Sequence, residues 1–269
     1  MFSPYYAFAR RRGLVDPLNH CAINVALYRP RGGRWAMTER PAGAVTRSAD
    51  TFRVGPSALH WDGRSLTIDI DEVAVPIPRR LRGRVRVTPT ATTRAPFVLN
   101  DIGNHRWWPI APVARVEVVM QSPALRWQGD GYLDHNSGDA PIEQGFRRWQ
   151  WARGATRDGA VILYEGERSD GSTVNLARTF DHNGAAGEFV PPAARPLKGT
   201  GWRMPRSVRS ERDAHVVRKL EDAPFYARSV VASRLNGEDV MLMHESLSLD
   251  RFRSPVVQAM LPFRMPRRR

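Results

Sequence analysis

The chain of 269 residues is 42% hydrophobic and carries a formal charge of +14, its cationic side chains being arginine apart from Lys198 and Lys219. That length builds one large β domain or two smaller ones. A mean hydropathy of -0.45, with no apolar run near the ~20 residues of a bilayer-spanning helix, argues against an integral membrane protein.

The opening MFSPYYAFARRRG sets aromatics ahead of a basic cluster, the reverse of a secretory signal, so a cytoplasmic chain is expected. Tyr5, Tyr6 and Phe8 suggest an edge strand or an aromatic plug on the core. The lone Cys21 excludes an intrachain disulfide and a cysteine-rich metal site, and reads as a small buried hydrophobe. His20 to Leu27 is a short buried run, which Tyr28 to Gly33 turns into a second strand from Arg34 to Glu39. Ala58 to Trp61 and Leu66 to Ile70 flank Asp62-Gly63, a pair that favours a tight hairpin turn. From Leu81 to Thr88 the chain alternates, with Leu81, Gly83, Val85 and Val87 on one face and Arg82, Arg84 and Arg86 on a wet one. These arginines do not interleave with exposed aromatics, so nucleic acid is not an expected partner.

Val113 to Met120 predicts a strand and Leu125 to Trp127 a short one, after which Gly129-Asp130-Gly131 leads into a turn over Tyr132 to Asn136. Phe146 to Ala152, Val161 to Glu167 and Thr173 to Phe180 read as further strands. The polar, proline-rich stretch from Asp181 to Arg203 fits a crossover or a cavity lid. Arg212 to Glu221 is faintly helical. Phe225 to Arg234 and Val240 to Ser246 flank Asn236-Gly237, the strongest turn signal in the chain. Phe252 to Met265 suits a short helix or a final strand. With no βαβ unit and no glycine-rich phosphate loop, the predicted fold is mainly β, antiparallel barrels or sandwiches in two halves. Residues 1–145 would carry most of the site, and residues 146–269 would end in a basic tail.

His105 and Trp107 are two apart and share a face of a strand, as do Tyr132 and Asp134. The two pairs could line opposite walls of one apolar cavity. Asp134 reads either as an Asx-type turn residue satisfying local backbone donors or as a general acid, since beside Trp107 and Tyr132 its anion would be poorly solvated and its protonated form favoured. His105 could hold Asp134, activate water, or be a hydrogen-bonded core histidine. Trp108, Trp127, Trp149 and Trp151 either pack the core or present π-faces to a conjugated ligand and a carbocation. The histidines are dispersed and no HExxH, GxSxG or dinucleotide fingerprint occurs, so neither a metal nor an organic cofactor is expected.

FSPYY at 2–6, NHCAINVALY at 19–28, WAMTER at 35–40 and GDGYLDHNSGDAPIE at 129–143 resemble the carotenoid 1,2-hydratases, also called hydroxyneurosporene synthases, of photosynthetic bacteria. The resemblance runs along nearly the whole chain. It implies a lipocalin-like double β-barrel and cofactor-independent addition of water across the terminal C-1,2 double bond of acyclic carotenoids such as neurosporene and lycopene. It also implies His105, Trp107, Tyr132 and Asp134 as the active residues. A substrate resident in the bilayer would explain the positive charge through peripheral attraction to an anionic membrane, with Arg267 to Arg269 as the place of contact. Asp134 would protonate C2, Trp107 and Tyr132 would face the tertiary cation at C1, and water would capture it. A lipocalin-type carotenoid or lipid carrier and a cation-controlled terpenoid isomerase or cyclase stay open beside the hydratase, with glycan binding ranked lowest.

Overall fold

The computed structural model describes residues 3–13 and 16–268; Phe2 of the FSPYY run and Arg269 of the basic tail lie outside the described residues. The chain forms two compact units that interleave in sequence, instead of parting once between 145 and 146. The first comprises Met1–Pro89, Arg115–Gly131 and Gln258–Arg269, the second Thr90–Ala114 and Tyr132–Val257.

The first unit opens with α1 (Pro4–Arg11), not with a strand or plug. Ser3 is its N-cap, accepting from the Tyr6 amide at 2.9 Å, Pro4 occupies the first turn, and Arg10 and Arg11 sit at the favourable C-terminal end. The antiparallel hairpin β1 (Asn24–Leu27) and β2 (Arg34–Met37) follows as expected. The strands β3 (Val45–Arg47), β4 (Thr51–Val54), β5 (Ser57–Trp61), β6 (Leu66–Val73) and β7 (Arg80–Pro89) then form an antiparallel meander. Asp62 closes the β5–β6 turn by accepting from the Arg64 and Ser65 amides. The alternation read for β7 holds, since Leu81, Gly83 and Val87 are buried and Arg82, Arg84 and Arg86 exposed. Two of those arginines meet aspartates near β6, Arg84 pairing with Asp69 at 2.7 Å and Arg86 with Asp62. The apolar faces close a core of Ala36, Ile70, Leu81, Val118 and Met120.

A buried carboxylate ties the ends of this unit together. Glu39, 2% exposed, accepts from Ser3 Oγ and from the Arg267 guanidinium, and lies 2.9 Å from His20 Nδ1. Arg267 is therefore part of a folded network and not of a free basic tail.

Next in sequence come β8 (Phe97–Val98), β9 (His105–Ser122) and β10 (Ala124–Gly138), the last two continuing from one unit into the other. The expected short strand at Leu125 to Trp127 and the expected turn at Tyr132 are thus one long strand. The second unit continues with α2 (Ile142–Gly145), β11 (Phe146–Thr156), β12 (Gly159–Arg168), β13 (Thr173–Asp181), β14 (Ala186–Glu188), β15 (Ala194–Pro196), β16 (Ser207–Arg209), β17 (His215–Asp222), β18 (Tyr226–Leu235), β19 (Glu238–Ser248) and α3 (Leu249–Phe252). The helix α4 (Pro255–Arg264) runs on past its end. Arg212 to Glu221, faintly helical in sequence, contributes β17. Asn236 and Gly237 turn β18 into β19 with φ of 51° and 74°, the left-handed backbone their residue types favour. Seven strands make one sheet in the order β14-β13-β12-β11-β19-β18-β17. One face packs Ala152, Val161, Leu163, Val231 and Leu242 beneath Leu197 and Val208.

The fold is mainly β, but among the described residues no sheet closes into the expected lipocalin-like barrel. The larger sheet runs β10-β9-β7-β6-β5-β4-β3 with β8 on β9, and its terminal strands β10 and β3 do not pair; β14 and β17 likewise end the seven-stranded sheet unjoined. Closure would require hydrogen bonding between the end strands, and β3 and β14 are only three residues long. Both sheets are open.

Candidate active site

All four site residues named from the sequence lie in the second unit. His105 and Trp107 stand on the buried face of β9, 4% and 0% exposed. Tyr132 and Asp134 stand on β10 at alternate positions, which puts them on one face. The two pairs do not face each other across an open cavity. The Trp107 indole N–H donates to Tyr132 Oη at 3.1 Å and to Asp134 Oδ2 at 3.0 Å, and the Tyr132 hydroxyl is itself bonded to Asp134.

Continuing the series 132, 134 brings in Asn136, whose Nδ2 donates to Asp134 Oδ2 at 3.4 Å. The Tyr164 hydroxyl in turn donates to Asn136 Oδ1 at 3.4 Å. Burial raises the Asp134 carboxyl above the usual carboxylate range, against the donors Trp107, Tyr132 and Asn136, which favour the anion. The phenols of Tyr132 and Tyr164 are driven well above their ordinary value, first by burial and then by the negative charge on Asp134. Asp134 is thus a carboxyl that desolvation makes harder to ionise and whose position is fixed by three donors.

Aromatic rings enclose this group. Trp107 stacks on Phe97 at 5.4 Å and meets Tyr164 at 5.3 Å, while Tyr132 meets Trp151 at 5.2 Å. Trp151 and Tyr164 are register partners across β11 and β12, and Trp149 closes on Tyr164 at 5.5 Å. On the same face Glu245 is the register partner of Trp151 on β19. It pairs with Arg228 at 2.7 Å, and burial lifts its carboxyl despite that arginine.

His105 is not what holds Asp134. Its imidazole meets Phe146 edge-on at 5.3 Å and fits between two glycines, since a Cβ on Gly138 would come within 2.6 Å of Nδ1 and one on Gly145 within 2.8 Å of Nε2. Burial lowers its basicity, with Asp139 opposing, and its buried Nε2 has no hydrogen-bond partner. It is a neutral imidazole at ordinary pH.

The remaining tryptophans part company. Trp149 and Trp151 join the aromatic wall. Trp108, next to Trp107, takes the opposite side of β9 and donates to Thr93 Oγ1 at 2.9 Å. Trp127 belongs to the first unit and is 49% exposed. Asn136, Tyr164, Glu245, Gly138 and Gly145 escaped the sequence reading. Only Asn136 had a linear signal, the every-second-residue series from Tyr132, and a predicted turn concealed it. Among the described residues no group of three or more His, Cys, Asp or Glu side chains is placed to hold a metal ion.

Comparison with known proteins places this geometry in a family context. A family model described as "Carotenoid hydratase CrtC" matches residues 1–269. The acyclic carotenoid 1,2-hydratase of Thiocapsa roseopersicina is 53% identical over 99% of this chain, and that of Rubrivivax gelatinosus 49% over 100%; in each case the match spans 67% of the relative. The acyclic carotenoid 1,2-hydratase of Cereibacter sphaeroides is 40% identical over 100% of this chain and 95% of its own length. Among solved structures, CghA with Sch210972 aligns with a TM-score of 0.44 at 10% identity, over 81% of this chain and 80% of that one.

Proposed function

We propose, because this chain belongs to the carotenoid hydratase family, that Asp134 is the acid by which it adds water to the terminal C-1,2 double bond of an acyclic carotenoid. As a member of that family the protein is an enzyme of the hydro-lyase class. The reaction begins with transfer of the Asp134 proton to C2, leaving a tertiary cation at C1 and a carboxylate held by Trp107, Tyr132 and Asn136. The faces of Trp107, Tyr132 and Trp151 stabilise that cation. Water bonds to C1, and the proton it sheds returns to the Asp134 carboxylate, which restores the acid. Neurosporene and lycopene carry the required terminal double bond. The protein works at an anionic membrane surface, where such a substrate resides; among the described residues no helix is long and apolar enough to cross a membrane.

The observation that carries this reading is the Trp107 N–H shared between Tyr132 and Asp134, which fixes a partly buried carboxyl of raised pKa among aromatic rings. The test is turnover of lycopene and neurosporene in heavy-oxygen water, with wild type beside Asp134→Asn. Labelled 1-hydroxy product from wild type alone supports Asp134 as the acid. Bound but unchanged carotenoid in both would identify a carrier, and a product of unchanged mass an isomerase or cyclase.

A further inference from the structure

The outward side of α4 repeats apolar residues at the spacing of a single helical stripe. Val256, Ala259, Met260 and Phe263 occupy positions i, i+3, i+4 and i+7 and are all exposed, Phe263 to 81%. Val257 and Leu261, on the other side, are buried. Leaving Met and Phe in water in this pattern is unfavourable, and a contiguous apolar patch of this kind marks a surface that something covers.

α1 extends the patch. Tyr5, Phe8 and Arg11 line one groove with Ala259 and Pro262, and Phe8 is itself exposed. Arg12 lies over the Phe8 ring at 4.1 Å, and Arg264 over Trp35 at 4.6 Å. Arg11 and Arg12 at the end of α1 and Arg264 on α4 are exposed beside these apolar residues in the chain. Neither PYYAFARR nor PVVQAMLPFR contains an acidic residue.

The charge decides between possible occupants. A second copy of the chain meeting this patch about a two-fold axis would set these arginines against their own counterparts, with no carboxylate on either helix to separate them. A bilayer rich in anionic headgroups complements both features, the phosphates meeting the guanidinium groups and the acyl boundary taking Phe8, Met260 and Phe263. The geometry points to the α1/α4 surface as the site that docks this protein on anionic lipid. The inference rests on the membrane contact proposed above and gives it an address different from the expected Arg267–Arg269 tail, whose Arg267 is occupied with Glu39.

The test uses vesicles of phosphatidylglycerol or of phosphatidylcholine, with the full chain as wild type, as Met260→Ser/Phe263→Ser and as Arg11→Gln/Arg264→Gln. Wild type should float with phosphatidylglycerol far more than with phosphatidylcholine and detach at high salt, and each double variant should lower the bound fraction at least ~tenfold. Turnover of carotenoid supplied in neutral detergent micelles should be unchanged in both variants. Equal vesicle binding by wild type and variants overturns the proposal. So does a concentration-dependent dimer that the serine variant loses while wild type ignores vesicles. Loss of detergent turnover in wild type alongside intact, stripe-dependent flotation would reject the hydratase reading and leave the docking surface standing.

Discussion

The two faces of the seven-stranded sheet are made by the same strands and serve opposite ends. One face is aliphatic and closed, with Ala152, Leu163, Val231 and Leu242 packed under Leu197 and Val208. The other carries Trp149, Trp151, Tyr164, Glu245 and Arg228, rings and charges grouped around Asp134. His244 and Glu245 show the contrast within one peptide unit. His244 is buried and points into the aliphatic layer, 2.8 Å from the Ser207 carbonyl, while the partly buried Glu245 points to the aromatic layer and pairs with Arg228. Alternation along a strand lets one backbone supply a core and a reaction environment at once, so changes on the two faces should separate stability from turnover.

The largest separation is expected at Asp134. Asp134→Asn keeps the shape but removes the proton, and kcat should fall ~10²–10⁴-fold with the circular dichroism and melting curve preserved. Retained turnover in that variant would sink the assignment. Leu242→Ala, on the aliphatic face, should do the reverse. It should cost about 2–5 kcal/mol in urea titration, with kcat of the remaining folded enzyme unchanged; a parallel loss of kcat would show that the faces are coupled.

The third effect is on acid stability. Burial pushes His244 from 6.5 down to about 4, so the unfolded chain takes up the proton first as pH falls. Stability is full above the ordinary histidine range and is lost as pH drops toward 4, by up to about 3 kcal/mol. His244→Gln should flatten that dependence, and an unaltered slope in acid titration would place its origin elsewhere. The smallest effect belongs to Asn136. If Asp134 is the acid proposed above, turnover should decline on the alkaline side as the carboxyl ionises. Asn136→Ala removes a donor that favours the anion and should move that decline upward, toward more alkaline pH. A downward move in the pH–rate profile would contradict the role given to the amide.

Much of the strand pattern could be read from local chemistry. Asp62-Gly63 and Asn236-Gly237 announce their turns, and the arginine alternation on β7 announces its wet face. The pairs 105/107 and 132/134 were visible because two-residue spacing is a property of a strand by itself. Tyr164 and Glu245 were not, because they reach the site through cross-strand register with Trp151, and register is set by long-range pairing. The glycines at 129 and 131 suggested a break where β10 runs through. At the N-terminus the aromatic residues outweighed a helix signal that was present, Ser3 before Pro4. Sheet closure was the costliest error. Alternation is the same in open and closed sheets, and only the pairing of end strands distinguishes them.

The two glycines around His105 carry a consequence for how this protein can change. A methyl group at position 145 would delete no reactive atom and break no hydrogen bond, yet it would claim space that the imidazole now fills, 2.8 Å from Nε2. The same holds at 138. A saturation mutational map should therefore show sharp intolerance at two residues that have no side chain, and the tolerance of the site is governed there by the size of a hydrogen atom.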